Sequence, residues 1–333
     1  MNADITVVKA SHLQPFIEFL DAAGAPVDDL LRQVDMERSQ FSAADNLIPE
    51  APFWALLDLV AHSENIPDIG FKVTEQLSLD RFGSFGRKVM QAETLQHALQ
   101  LFIDDMGEQS NCPPFWLTQA QDSVWFCRLG TQGIKMGQWP VEQHVVSMMV
   151  QLVRAFTGQD WHPAQVYLQT NSIVGCEKVS LLADGDIALN KAITAICIPQ
   201  ELLKNPPMKS GETVKSAPLL STKPIPLACS ELVVDVIKQR ANLLPLKAEI
   251  MAKSLGVSVR QLQRLLKKDN TSFRELSEHE LFDRAKNMLI QGELSILDIA
   301  LELGYVESAN FTRAFKRMSG VSPSHYKSLS QAS

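Results

Sequence analysis

The chain has 333 residues, enough for two domains, and 45% hydrophobic with 21% charged residues is typical of a folded globular protein. Residues 1–10 lack the basic region and apolar core of a secretory signal, and no apolar run approaches the ~20 residues of a membrane helix. We therefore expect a cytoplasmic protein with no membrane partner. The formal net charge of −7, taken alone, argues against a nucleic-acid binder.

The five cysteines and seven histidines are scattered along the chain. The sequence contains no C-x-x-C, no H-E-x-x-H and no serine nucleophile elbow, so neither a zinc site nor a catalytic site is indicated. An odd number of widely spaced cysteines predicts reduced thiols. We expect no cofactor, no metal and no enzymatic activity. The acidic pair Asp104 and Asp105 is more typical of a solvated helix end than of a metal site.

The first two thirds of the chain have apolar residues at helical spacing, interrupted by aromatic-rich segments of strand-like composition. The predicted helices are 11–22, 27–34, 49–62, 69–77, a helix capped by Thr94, 141–156 and 200–203. A turn that leads into another helix is predicted at 81–86. The predicted strands are 115–118 and 124–127, which form a hairpin, followed by 165–169 and 193–198. This pattern predicts a mostly helical α+β domain over residues 1–203.

Aromatic side chains in this domain are candidates for an apolar effector pocket. The candidates are Trp54, Phe82, Phe85, Trp116 and Trp125. The alternative is that these rings are simply part of the core. The apolar stripe of the helix at 141–156 likewise fits either a dimer seam or core packing, because it spans too few heptads for a coiled coil.

A change in composition and charge marks a domain boundary after this region. Residues 204–228 form a linker in which Pro206, Pro207, Pro218, Pro224 and Pro226 are concentrated. Beyond it, residues 229–333 hold 15 Lys and Arg against 12 Asp and Glu, a net charge of +3, whereas residues 1–228 carry −10. A mildly basic module therefore follows an acidic one.

The basic module contains one pattern twice, at about 246–268 and 295–318. In each copy an alanine precedes a glycine by four residues, as Ala252 and Gly256 do in the first. Alanine lets two helices cross closely, and glycine ends a helix in the left-handed conformation at little cost. One copy alone would also fit an ordinary helical hairpin. Two copies predict a tandem helix-turn-helix joined by a long helix at about 272–291, with further helices at 229–242 and 322–329.

Each second helix of the pattern has one apolar face and one polar, basic face. The polar residues are candidates for DNA contact. They are Ser258, Arg260, Gln263, Arg264, Lys267 and Lys268 in the first copy, and Ser308, Asn310, Thr312, Arg313, Lys316 and Arg317 in the second. For Arg313 an ion pair with Glu307 or Asp298, which would only brace the motif, is the alternative.

The tandem pattern, closed by Gly320-Val321-Ser322-Pro323-Ser324-His325-Tyr326, resembles the DNA-binding domain of AraC/XylS-type transcriptional regulators over about 229–328. The signature residues of the second copy are Ala300, Gly304, Tyr305, Ser308, Phe311, Arg313, Phe315, Lys316, Gly320, Pro323 and Tyr326. The first two thirds resemble the effector or dimerisation domain of the ornithine-regulator-like branch, which is of the arabinose-binding-domain type. They do not look like the cupin-type sugar-binding domain of the arabinose regulator.

The resemblance implies a mostly α two-domain regulator that binds operator double-stranded DNA, a small-molecule effector and RNA polymerase. It also implies a homodimer, activation of transcription and a place on the bacterial nucleoid. The matched positions assign Arg260, Gln263, Arg264, Thr312 and Arg313 to base reading. Lys268, Lys316 and Arg317 suit phosphate contacts better.

Two other functions are compatible with the same module. One is a constitutive dimeric DNA-binding protein whose N-terminal domain only oligomerises. The other is an enzyme with an appended DNA-binding domain, as in alkylation-repair proteins, but the isolated cysteines argue against the metal-bound cluster that such an enzyme needs.

Overall fold

The computed structural model describes residues 5–75, 77–111, 115–120, 122–130, 136–171, 182, 185–208, 228–239, 247–305 and 307–331. Contacts divide the chain into two compact units, Met1–Ile225 and Pro226–Ser333. Helices and strands alternate in the first unit, whereas the described part of the second is all helical. The expected mostly α fold, with an α+β domain followed by an all-α domain, is confirmed.

Seven α-helices, seven strands and several short 3-10 helices make up the described part of the first unit; the helix predicted at 200–203 is the 3-10 helix Gln200–Lys204. The helices are α1 (Gln14–Ala22), α2 (Val27–Gln33), α3 (Glu50–Ser63), α4 (Ile69–Glu75), α5 (Gly83–Met90), α6 (Leu95–Asp105) and α7 (Gln138–Thr157). The strands are β1 (Val7–Lys9), β2 (Leu47–Pro49), β3 (Phe115–Ala120), β4 (Ser123–Arg128), β5 (Gln165–Tyr167), β6 (Asp186–Ala188) and β7 (Thr194–Pro199). The larger sheet has the order β3-β4-β7-β5-β6, in which β5 and β6 are parallel and the other neighbours antiparallel.

Helix α7 lies in the core of the first unit. Its apolar stripe is buried there, with Leu152 fully inaccessible and Phe156 1% exposed. Against α4 the approach is so close that a Cβ on Gly70 would lie 2.2 Å from the carbonyl oxygen of Pro140. The apolar stripe of α7 therefore packs against other elements of the first unit, and the interpretation of α7 as a dimer seam is not supported.

Several predicted boundaries were wrong for local reasons. Strands β1, β2 and β6, of three residues each, were missed, whereas β5, which is equally short, was predicted two residues too long. The helix predicted after the turn at 81–86 is α5, but it begins inside the predicted turn, at Gly83, whose φ is +67°. The predicted cap holds, since Thr94 accepts a hydrogen bond from the backbone N–H of His97 at 3.2 Å.

The first residues of the predicted linker are bonded to the first unit. The backbone N–H of Met208 donates to Ala155 at 2.8 Å, and that of Leu95 donates to Asn205 at 3.0 Å. Residues 209–227 lie outside the described residues. The segment 204–208 is thus part of the first unit and not a free connection.

The described part of the second unit has seven helices. They are α8 (Cys229–Gln239), α9 (Ala248–Ser254), α10 (Val259–Lys268), α11 (Phe273–Gln291), α12 (Ile296–Glu302), α13 (Ser308–Ser319) and α14 (Pro323–Gln331). The predicted end of α8 at 242 lies outside the described residues. Helix α11 is central, because it contacts α8, α12, α13 and α14, and α8 in turn contacts α10. It therefore packs against the second predicted helix-turn-helix copy directly and is linked to the first through α8.

Other expectations concern membranes, metals and thiols. Of the helices that the structure describes, none is both long and apolar enough to cross a bilayer. The same residues contain no group of three His, Cys, Asp or Glu placed to hold a metal ion. Cys127, Cys197 and Cys229 are free thiols, and Cys112 and Cys176 lie outside the described residues. Asp105 is paired with Lys88 at 2.5 Å, consistent with a helix end.

Candidate nucleic-acid interface and ligand cavity

The first turn, between α9 and α10, is closed by backbone hydrogen bonds and by a left-handed glycine. Gly256 has a φ of +67°, and the N–H of Val257 donates to the carbonyl of Ala252 at 2.9 Å. Ala252 is 1% exposed, which leaves no room for a larger side chain at the helix crossing. Ser258 then caps α10 by accepting a hydrogen bond from the N–H of Gln261 at 3.2 Å.

The second turn, between α12 and α13, repeats this geometry. Gly304 has a φ of +78°, and the N–H of Tyr305 donates to the carbonyl of Ala300 at 2.9 Å. Ala300 is fully buried. The start of α13 differs, because its N-cap is Glu307 and no side chain bonds to the free N–H groups of the first turn. The matching turns confirm the tandem helix-turn-helix that the sequence predicts.

Helix α10 presents a polar face that is open to solvent. Leu262, Leu265 and Leu266 are buried against the rest of the unit. The predicted DNA-contact residues are all exposed, namely Ser258, Arg260, Gln263, Arg264, Lys267 and Lys268. Among the described residues, none of the four bases on this face forms an ion pair. Their charges are therefore free to meet an anionic partner.

Helix α13 presents a similar face whose side chains are more constrained. Phe311 and Phe315 are buried, whereas Asn310, Arg313 and Lys316 are exposed. Ser308 and Thr312 are half-buried. The guanidinium of Arg313 donates to the side-chain oxygen of Asn310, not to Glu307 or Asp298. Two predicted contact residues are therefore joined by a hydrogen bond.

Arg317 is tied to the central helix. Its guanidinium donates to Glu278 of α11 at 2.9 Å, and the same carboxylate accepts from Arg274 at 3.0 Å. These hydrogen bonds, chiefly the one from Arg274, lower the pKa of Glu278. Arg317 was predicted to contact phosphate, but its side chain also braces α13 against α11. The sequence held no signal for this pair, whose members are 39 residues apart.

Three of the five aromatic candidates lie at or near a cavity in the first unit. One of them lines the cavity, and the other two are core residues beside it. Trp54 lies in the cavity wall. Phe82 and Phe85 are 3% and 4% exposed, and the ring of Phe82 stacks on His12, another wall residue, at 4.4 Å. Phe82 and Phe85 thus lie behind the wall of the cavity and do not line it.

Trp116 and Trp125 are turned away from the cavity. Successive side chains of a strand point to opposite faces, and the neighbours Phe115 and Phe126 point into the core. Trp125 instead packs against Tyr167 on the outer face at 4.4 Å. The structure therefore does not bring these two tryptophans to the site that Trp54 lines.

The cavity lies between α1, α3, α7 and the end of the β3–β4 hairpin. It has a volume of about 70 Å³ and is part open to solvent. Its walls include His12, Phe16, Phe53, Trp54, His144 and Met148. Because most of these side chains are apolar, the cavity suits the apolar part of a small molecule.

Both histidines in the wall are neutral at pH 7. Burial lowers the pKa of His12 to about 4 and that of His144 to about 3. The hydroxyl of Thr74 donates to the carbonyl of Gly70 at 2.7 Å and lies 2.7 Å from Nδ1 of His144. Both contacts of the hydroxyl are hydrogen bonds when Nδ1 carries the proton of the neutral ring and donates to it.

The aromatic pattern did not indicate Arg128, yet it lies in the cavity wall and is 6% exposed. A signal was present in the sequence. In β4 the inward positions are Val124, Phe126 and Arg128, so an arginine occupies a place where the strand alternation calls for an apolar residue.

Comparisons with known proteins cover both units. The model of a helix-turn-helix domain matches residues 251–328. The model described as the arabinose-binding domain of AraC transcription regulators, N-terminal, matches residues 24–207, more than half of the chain.

Individual relatives are also regulators. The chain is 22% identical over 325 residues to an uncharacterized HTH-type transcriptional regulator of Mycobacterium tuberculosis, with 93% of both chains covered. It is 23% identical over 334 residues to the HTH-type transcriptional regulator VirS of that organism, covering 97% of this chain and 96% of VirS. Over 91 residues it is 34% identical to the regulatory protein SoxS of Escherichia coli, covering 25% of this chain and 78% of SoxS.

Among solved structures, the transcriptional regulator CdpR from Pseudomonas aeruginosa aligns with 96% of this chain and 98% of its own, at a TM-score of 0.43 and 17% identity. Each of the proteins named here is described as a regulator, and none as an enzyme.

Proposed function

This chain belongs to the AraC family of transcription regulators, and on that premise we propose how its two units divide the work. The chain is a DNA-binding regulator whose first unit is of the arabinose-binding type. In our proposal α10 and α13 enter successive major grooves of an operator. The first unit binds a small-molecule effector that changes this DNA binding.

The observation that carries the proposal is the pair of exposed polar faces held by one helix. Helix α11 has 19 residues and so spans about 28 Å. Successive major grooves on one side of B-DNA are about 34 Å apart. A helix of this length, flanked by one helix-turn-helix at each end, is suited to holding two recognition helices at a similar separation.

The side chains divide into base readers and phosphate binders. Arg260 and Arg264 can each make two hydrogen bonds to guanine, and Gln263 can do the same to adenine. Lys268 and Lys316, at the ends of their helices, suit phosphate contacts that position the protein without reading sequence. The acidity of the rest of the chain weakens nonspecific binding without cancelling these local contacts.

Three further properties belong to the proposal on the strength of family membership. The protein acts as a homodimer in the bacterial cytoplasm, activates transcription, and contacts RNA polymerase when bound upstream of a promoter. If instead the protein is a constitutive dimeric DNA binder, no small molecule will change its DNA affinity.

Binding-site selection with the purified full chain, followed by hydroxyl-radical footprinting, tests the proposal. We expect a motif with two half-sites about one helical turn apart, both protected by each monomer. The double variant Arg260→Ala/Arg264→Ala should lose protection of one half-site, and Arg313→Ala/Lys316→Ala should lose the other. Protection of a single groove per monomer would contradict the tandem mode.

A further inference from the structure

Arg128 is a charged residue at a core position of the first unit. It ends strand β4, which lies between β3 and β7 in the sheet, and its backbone is paired with Phe115 of β3 and Thr194 of β7. Its side chain follows Val124 and Phe126 on the face that packs against the helices. A guanidinium in such a place loses most of its hydration, and this loss is offset only where an anion or several acceptors replace the water.

No carboxylate among the described residues forms an ion pair with Arg128. Its Cζ lies 5.8 Å from the centre of the Phe115 ring. Among the described residues, no side-chain acceptor receives a hydrogen bond from its guanidinium. The group has a favourable ring contact but lacks a counter-ion.

One acidic residue near Arg128 already has three hydrogen-bond donors. The carboxylate of Glu142 accepts hydrogen bonds from the N–H of Gln169 at 2.7 Å, the N–H of Thr170 at 2.9 Å and the hydroxyl of Thr194 at 2.5 Å. A second carboxylate, that of Glu50, lines the apolar cavity.

Arg128 stands where two compartments meet. The apolar cavity described above and a polar pocket of about 280 Å³, which is also part open to solvent, share Trp54, Arg128 and Val141 as wall residues. The polar pocket contains a second cation, Lys191, whose Nζ lies 4.9 Å from the ring of Tyr167. The apolar cavity contains His12 and His144, which are uncharged at neutral pH. Positive charge is therefore available at the junction and in the polar pocket.

We infer that the first unit binds an anionic amphiphile, with its acidic head on the guanidinium of Arg128 and its apolar body in the cavity walled by Phe53, Trp54 and Met148. The inference rests on the proposed function, because it assigns a ligand class to the proposed effector site. A carboxylate on a guanidinium forms a charge-assisted, two-pronged hydrogen bond, which is the strong kind of polar contact. A neutral ligand of equal apolar area would leave the charge unpaired.

Calorimetric titration of the purified full chain tests this inference. The probes are octanoate, a straight-chain acid, and phenylbutyrate, an aromatic acid. The third probe, octanamide, is a neutral isostere of octanoate. We expect at least one of the two acids to bind. If octanoate binds, octanamide should bind at least about 10-fold more weakly.

Variants at Arg128 separate charge from shape. Arg128→Met keeps the length of the side chain and should weaken binding of the acid by about 10- to 100-fold. Arg128→Lys keeps the charge without the planar guanidinium, so its affinity for the acid should lie between those of the natural chain and Arg128→Met. The control Arg81→Met removes an exposed arginine that pairs with Glu18 and does not line the cavity, so it should bind as the natural chain does.

Equal affinity of Arg128→Met and the natural chain for the acid would overturn the inference, as would equal binding of octanoate and octanamide. If Arg128→Met does not fold, Arg128→Lys and the amide comparison decide. The same samples are tested for binding to selected DNA, with and without the acids and with a metabolite extract. An extract that changes DNA binding when neither acid binds would refute the ligand class and leave the effector role intact. If neither acids nor extract act, both proposals fail.

Discussion

The two helix-turn-helix copies share one turn and differ in what surrounds it. In both, the N–H after the glycine donates to the alanine carbonyl at 2.9 Å, and the glycine is left-handed. Around α10 the core is aliphatic. Around α13 it is aromatic, with Phe315 in contact with Phe282, Phe311 and Tyr326 at centroid distances of 5.1 to 5.8 Å.

Their polar faces differ as well. On α10 the bases form no ion pair within the described residues, whereas on α13 Arg313 bonds to Asn310 and Arg317 to Glu278. The difference teaches that a repeated turn fixes the position of a recognition helix but not the freedom of its side chains. We expect the first copy to supply more of the DNA affinity and the second to be the more rigid.

The largest expected effect is on the aromatic core of the second copy. Phe315→Ala should cost about 3–5 kcal/mol of local stability, because the ring is buried among three others. Leu266→Ala, its counterpart in the first copy, should cost about 2–5 kcal/mol. Amide hydrogen exchange read separately over α9–α10 and α12–α13 measures each loss. A larger loss in the first copy would reverse the comparison of rigidity.

Base contacts come next. Arg264→Ala should relax specificity at one position of the operator at a cost of about 1–3 kcal/mol. Lys268→Ala should weaken binding to all sequences alike and reduce the salt slope by about 1. Arg313→Ala should have a smaller effect than Arg264→Ala, because its guanidinium is already shared with Asn310. Competition binding on a panel of single-base operator variants measures all three, and equal effects of Arg264→Ala and Arg313→Ala would break the comparison.

The shared turn gives a matched pair. Gly256→Ala and Gly304→Ala each force an L side chain into a left-handed conformation, at φ of +67° and +78°, and should each cost about 1–2 kcal/mol. Because the two turns are alike, we expect the costs to agree within experimental error. Urea unfolding monitored by exchange in each copy would detect a disagreement, which would mean that the turns are less equivalent than their hydrogen bonds suggest.

The smallest effect is expected at the pair between Arg317 and Glu278. Both side chains are partly exposed, so Arg317→Ala should cost no more than about 1 kcal/mol at neutral pH. The folded-state pKa of Glu278 is lowered, mainly by its hydrogen bond from Arg274. The stabilisation is therefore present above the ordinary glutamate pKa and is lost as the pH falls through the lower folded-state value.

A double-mutant cycle with Arg317→Ala and Glu278→Gln, repeated at neutral and acidic pH, measures this coupling. A coupling that does not decrease on acidification would show that the pair does not brace α13.

Features that depend on a few neighbouring residues could be predicted from the sequence. The sequence correctly predicted three helix caps, at Thr94, Ser258 and Ser295. It also predicted the glycines of the two turns and the spacing of apolar residues in α10 and α11. These signals are local: a cap or a left-handed glycine acts within one helical turn. Strands β1, β2 and β6 were missed, because three residues carry little periodicity, and the start of α5 at Gly83 was placed too late.

By itself, then, the sequence determined the tandem helix-turn-helix, the exposed polar face of α10 and the two-part organisation of the chain. Only the tertiary structure decided that Trp54 and Arg128 share a cavity, that Trp116 and Trp125 face away from it, and that Arg317 meets Glu278. The physical reason is that a hydrophobic pattern states whether a side chain is buried but not which distant side chain it is buried against. That choice is made by packing between segments far apart in the chain.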